Sequence, residues 1–203
     1  MVGVINYGAG NIRSVERALS FLGIPYLTSD EPERLAKADR LILPGVGEAS
    51  FAMKRLNDSK LSDFIKRFCD SGKTRLGRLL GRADYARLLI RGRNRLPGLN
   101  RRRDAAPARY SAFARIKNTA HGMEQRRNAY TASAFFNIPE GADFYFVHSY
   151  YMAPQNPAHA AGIVNYGGDV ACVLIKDNIF AAQFHPEKSG AHGLQLLRNF
   201  NAL

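Results

Sequence analysis

Apolar positions fall into short bursts near both ends of the 203-residue chain, and the spacing within them changes from burst to burst. Val2–Ile5 is a compact apolar run broken at once by Gly8 and Gly10, and from residue 14 to residue 22 the apolar positions recur at helical spacing. The pattern predicts a strand, a glycine turn and a helix. Arg40–Leu43 predicts a second strand running into Pro44, Gly45, Val46 and Gly47, and residues 61–69 predict an amphipathic helix closed by Gly72. The last third predicts strands over 144–147, 160–164, 170–175 and 179–183, with turns at Gly167, Gly168, Asp177 and Asn178. A closing helix over 193–199 offers Leu194, Leu196 and Leu197 to the sheet, with Phe200 just beyond. The alternation predicts an α/β fold: an open, mainly parallel sheet with flanking helices and antiparallel additions toward the C-terminus.

The middle breaks this pattern. From about residue 78 to residue 127 the chain runs through RGRNRL, RRRDAAPARY and EQRRN with little sustained periodicity, which predicts loop or tail rather than core. Charge sharpens the contrast. The whole chain carries a net +12, and residues 75–127 hold 15 basic against 3 acidic residues, which accounts for all of it and leaves 14 of each sign elsewhere. A uniformly basic surface would point to nucleic acid, but this basicity is confined to one segment with only Tyr85, Tyr110 and Phe113 as aromatic platforms. No nucleic-acid partner is expected.

At this length and 46% hydrophobic content, residues 1–203 are expected to form a single domain. The first residues show no basic leader before a long apolar stretch, and no segment approaches the ~20 apolar residues of a membrane span. The expectation is a soluble, cytoplasmic protein with no membrane contact. Cys69 and Cys172 are the only cysteines, lie far apart and lack metal-ligand spacing, so two structural thiols and no metal site are expected.

Chemistry concentrates at predicted strand ends, where open α/β sheets bind ligands. Gln183, Phe184, His185, Pro186 and Glu187 follow an apolar strand, which places an imidazole and a carboxylate two residues apart, close enough for Glu187 to hold the tautomer of His185. Pro44, Gly45, Val46 and Gly47 put glycine-rich backbone at another strand end, where N–H groups can serve an oxyanion. The glycine turn before Asn11 lacks the lysine and hydroxyl of a phosphate loop. Taken singly, each of these is an ordinary turn or a solvated histidine.

Together they are specific. NYGAGNIRSV near the start, LPGVGEASF near residue 45, YFVHSYY near 147 and QFHPEKS near 185 occur in the order and spacing of one family. Over residues 1–73 and 130–203, about three quarters of the length, the chain closely resembles the glutamine amidotransferase subunit of imidazole glycerol phosphate synthase. The resemblance implies a flavodoxin-like class I glutamine amidotransferase fold. It also implies a glutaminase in which a cysteine attacks the glutamine carboxamide, His185 is general base and acid, and Glu187 orients it. It further implies that Gly45, Val46 and Gly47 form the oxyanion strand and that Ser149 and Tyr150 contact the bound glutamine. No cofactor is implied. The ammonia would pass to a (β/α)8-barrel cyclase in a heterodimer, with Asn11, Tyr145 and Lys188 facing that partner, for histidine biosynthesis.

One position departs from the family. Its nucleophile lies in a stretch reading GKPxLGICLGMQ, where this chain reads GKTRLGRLLGRA, with Leu79 in place of the cysteine. A leucine forms no thioester. If the codons from about Lys73 are read one nucleotide later, the genetic code permits residues 74–81 to become Pro-Val-Leu-Gly-Val-Cys-Leu followed by Gly, the cysteine straddling Leu79 and Leu80. The same shift permits Gln-Ile-Met-Leu from Ala83 and Phe-Ser-Ser-Glu-Gly-Glu from Leu88. It also permits Pro-His-Met-Gly-Trp-Asn over residues 119–125, and there the tryptophan is forced, because Met123 and Glu124 yield only TGG. The residue after the reread Cys-Leu-Gly cannot be the family's methionine, since Arg82 and Ala83 give only GNG.

Residues 73–128 are therefore expected to be an out-of-frame stretch between two compensating insertions or deletions, in keeping with the confined arginine and the absence of tryptophan. The polypeptide is expected not to hydrolyse glutamine, and its shifted segment is expected to disturb the central strand that leads to the nucleophile. The alternative is a noncatalytic subunit that still binds the cyclase.

Overall fold

The computed structural model describes residues 1–45, 49–73, 75–78, 110–118, 133–148, 154, 156–165 and 168–203. Val2–Ile5 forms β1, which pairs in parallel with β2 (Tyr26–Ser29) on one side and β3 (Arg40–Leu43) on the other. Helix α1 (Ile12–Phe21) connects β1 to β2, and the short α2 (Pro32–Leu35) leads into β3. After β3 come α3 (Ala49–Asp58) and α4 (Leu61–Asp70), then β4 (Arg75–Arg78). The remaining strands are β5 (Tyr110–Asn118), β6 (Asp143–His148), β7 (Ala160–Asn165), β8 (Asp169–Lys176) and β9 (Ile179–Ala182), and α5 (Gly190–Ala202) closes the chain.

Among the described residues these strands form one nine-stranded sheet in the order β2-β1-β3-β4-β9-β8-β7-β5-β6. The first five pair in parallel, and β9, β8, β7, β5 and β6 continue by antiparallel pairing. The predicted architecture is present. Successive residues of a strand face opposite sides, so each parallel strand feeds two cores. Val2, Val4, Ile42, Phe180 and Ala182 pack with Val15, Leu19, Leu196 and Leu197 on the α1–α5 face. Leu41, Leu43, Ile179 and Ala181 pack with Leu35, Leu56, Leu61 and Phe64 on the α2–α4 face. Burial on both sides explains why these strands read as unbroken apolar runs.

Two expectations for the middle segment need correction. Rather than being disturbed, β4 lies in the centre of the sheet, with Leu41, Ile42 and Leu43 of β3 opposite Arg75, Leu76 and Gly77 on one side and β9 opposite on the other. Ladder hydrogen bonds are made by the backbone, so two flanking apolar strands can template a third whatever its side chains. Likewise, part of the arginine-rich stretch predicted as loop or tail is strand β5, paired to both β6 and β7. There Ala114 is half-buried, Arg115 exposed and Ile116 buried, a period-two pattern that the charge count obscured.

The entry to β4 is clamped from a distance. Asn178, in the turn between β8 and β9, donates from Nδ2 to the carbonyls of Cys69 at 3.0 Å and Lys73 at 2.7 Å. The neighbouring Asp177 adopts φ 50°, as a tight two-residue turn demands. Asn178→Ala leaves two carbonyls without this donor and is expected to cost about 2 kcal/mol in a urea melt. Asn178→Asp should cost more, because its carboxylate would face those carbonyls; an Asp variant as stable as the wild type would contradict the clamp.

Candidate active site

The C-terminal ends of β3, β4 and β9 meet on one edge of the sheet. Beyond β9 the chain runs through Gln183 and Phe184 to His185. Phe184 is fully buried between Phe144, with ring centroids 4.2 Å apart, and Phe146, at 5.6 Å. Side-chain alternation then carries His185 away from that aromatic cluster. Pro186 opens a single 3-10 turn, Pro186–Lys188, which turns Glu187 back toward the imidazole. The Nδ1–H of His185 donates to Glu187 Oε1 at 2.7 Å, and the two side chains are 4% and 6% exposed. Bonding Nδ1 to a carboxylate fixes the tautomer in which Nε2 is the basic nitrogen of the neutral ring. A proton taken up at Nε2 would be stabilised by the adjoining carboxylate.

The backbone of His185 is tied to β6: its N–H donates to the Tyr145 carbonyl at 2.9 Å. The Tyr145 ring lies 5.9 Å from the imidazole, and Lys188 Nζ stands 5.7 Å from the centre of that ring. Three of the predicted residues, His185, Tyr145 and Lys188, thus cluster beside Glu187. Gly45 is buried at the end of β3, and Asn11 begins α1. Both line a small, mainly apolar crevice together with Pro44, Ala182, Pro186 and Glu187. The crevice lies beside the switch point where the chain passes from one side of β1 to the other.

Two contacts hold this rim. Tyr7 Oη donates to the Pro44 carbonyl at 2.9 Å within the protein. Gly10, at φ +100°, approaches so closely that a Cβ there would lie 3.1 Å from Pro44 Cβ. Neither contact carries a local sequence signal, and Tyr7 was not among the expected site residues. Nor was Ser189 among them.

Val46, Gly47, Ser149, Tyr150 and Leu79 lie outside the described residues. The chain leaves β4 at Arg78, which is level with Ala182 on β9, three residues short of His185; Leu79 is next in sequence. Neither thiol substitutes for it. The Cys69 carbonyl is bound to Asn178 at the start of β9, at the opposite end of the strand from His185 and so roughly 20 Å away at ~3.3 Å per residue. Its Sγ donates to the Ile65 carbonyl at 2.8 Å. Cys172 is fully buried in the α1–α5 core, and burial pushes its thiol well above the usual range, away from thiolate. Among the described residues no three His, Cys, Asp or Glu side chains gather to hold a metal ion, and no helix is long and apolar enough to cross a membrane.

A family model described as glutamine amidotransferase class-I matches residues 86–202. The chain belongs to this family. Within it, the chain is 39% identical to the imidazole glycerol phosphate synthase subunit HisH of Bacillus velezensis, an alignment spanning all of this chain and 96% of that one. It is 36% identical to the subunit of the same name from Chlorobaculum tepidum, over 98% of each chain. Among solved structures, a chain of PurLQS from Thermotoga maritima superposes with a TM-score of 0.69 at 16% identity, covering 99% of this chain and 97% of that one. At that identity the likeness concerns the fold: a class I amidotransferase sheet with its flanking helices.

Proposed function

We propose that this chain is the glutamine-hydrolysing subunit of an imidazole glycerol phosphate synthase, holding the acid–base half of the site but not the nucleophile. The observation that carries the reading is the buried His185–Glu187 pair, 2.7 Å apart, at the end of the strand next to β4. In the complete reaction a thiolate adds to the carboxamide carbon of glutamine and a tetrahedral oxyanion forms. The C–N bond then breaks as imidazolium His185 protonates the leaving nitrogen, and ammonia departs. Water, deprotonated by His185, attacks the thioester; glutamate leaves and the thiol is regenerated. Glu187 holds the ring and stabilises its charged form, and backbone N–H groups at residues 45–47 would receive the oxyanion. Ser149 and Tyr150 would contact the glutamine.

The thiol belongs at position 79, where leucine supplies none. The reading attributes this to a shifted frame over residues 73–128. The test is the nucleotide sequence between the codons of Lys73 and Asn128: two compensating insertions or deletions are expected, and a continuous frame encoding LGRLLGR would sink the explanation.

Ammonia would pass to a (β/α)8-barrel cyclase in a cytoplasmic heterodimer, with Asn11, Tyr145 and Lys188 facing it. The retained Asn11, Tyr145 and Lys188 also permit a second reading, a subunit that docks the cyclase without supplying ammonia. Copurification with the barrel, and synthesis from free ammonium but not from glutamine, would support it.

A further inference from the structure

Ser189 stands at the position before α5 where a serine ordinarily caps the helix, yet its hydroxyl makes no capping bond. The hydroxyl is used elsewhere. It accepts from the Tyr145 N–H at 2.9 Å and donates to the His185 carbonyl at 2.6 Å, and the residue is 3% exposed. The His185 N–H already donates to the Tyr145 carbonyl at 2.9 Å. In an antiparallel ladder two facing residues exchange both bonds directly. Here one bond is direct, and the other is relayed through the Ser189 oxygen. The 3-10 turn that bears Glu187 is closed between His185 and Ser189, with the Lys188 N–H donating to the same His185 carbonyl at 3.1 Å.

We propose that Ser189 is a positioning residue of the site: by relaying the second half of the Tyr145–His185 bridge it fixes the imidazole at hydrogen-bonding distance from Glu187. The helix gives up its side-chain cap to hold the histidine. A relay of this kind restrains both ends of the turn at once, which neither backbone bond does by itself. The inference rests on the reading that His185 and Glu187 are the acid–base pair.

The test is nuclear magnetic resonance on the full chain with ¹⁵N-labelled histidine, which needs no catalysis. In the wild type, the His185 Nδ1–H is expected as a downfield, slowly exchanging signal. In Ser189→Ala it should broaden or vanish as the Glu187 contact loosens. Glu187 faces the ring directly, and Tyr145, carrying Lys188 on its ring, faces it from β6. Ser189→Thr keeps the hydroxyl and should restore the signal. An Ala variant with the signal unchanged, a Thr variant that fails to restore it, or an Ala variant that loses its fold would each overturn the proposal. Absence of glutaminase activity in a frame-restored chain would sink the functional reading while leaving this relay measurable.

Discussion

A gene repaired to one continuous frame between Lys73 and Asn128 should release glutamate from glutamine about 10⁶-fold faster than the present chain, because nucleophile and base act as one unit. With leucine at 79, the position proposed for the nucleophile, no covalent route is expected. His185 and Glu187, 2.7 Å apart, can only assist water. A Leu79→Cys change by itself should recover less than about a hundredth of the repaired rate, since a thiol is useful only when held in attacking geometry and Arg78, Arg82 and Ala83 would still differ from the family's stretch. Glutamate release, assayed with the proposed cyclase partner present, separates these cases. Comparable rates for the present and repaired chains would refute the assignment of the nucleophile. Full recovery by Leu79→Cys would refute the shifted frame, because a single substitution would then have sufficed.

Gly193→Ala is expected to destabilise the fold by about 3 kcal/mol, lowering the melting temperature by roughly 6–12 °C. The sign is not obvious from helix propensity, which favours alanine over a mid-helix glycine by about 0.5–1 kcal/mol. Close contact outweighs it. A Cβ at 193 would stand 2.0 Å from the Pro186 carbonyl oxygen and 2.7 Å from Ser189 Cβ. Neither is the end of a flexible side chain, so the turn bearing Glu187 would have to move away from α5. The damage should therefore reach the site as well, and the His185 Nδ1–H signal should weaken along with stability. A thermal melt showing Gly193→Ala as stable as the wild type, or more so, would mean that α5 does not press on this turn.

The apolar runs of β1, β3, β8 and β9 and the periodic helices α1 and α4 were legible because each is buried by its own pattern. Elements with weaker local signals were not. The strands β2, β4 and β5 and the helices α2 and α3 take their places from neighbours: β4 carries arginine at both ends and is a strand because β3 and β9 flank it. In β5 the basic composition masked the alternation from Ala114 to Ile116. At the site, His185 and Glu187 were legible because the pair is local: an apolar strand delivers the histidine, and the intervening proline starts the turn that brings the carboxylate back. The contacts that hold the pair join residues far apart in sequence, Tyr145 to His185 and Ser189, and Tyr7 to Pro44.

By itself, then, the sequence determined the α/β alternation, the family through its ordered motifs, and the closeness of His185 to Glu187, and it put leucine at 79, the position proposed for the nucleophile, since each is written in residues that are neighbours or in fixed order along the chain. The tertiary structure alone decided that β4 and β5 enter the sheet, that the Cys69 carbonyl is held by Asn178 at the far end of β9 from His185, and that Ser189 gives its hydroxyl to His185 rather than to its helix. Those outcomes depend on hydrogen bonds and close approaches between segments that only the folded sheet brings together, and no local pattern encodes them.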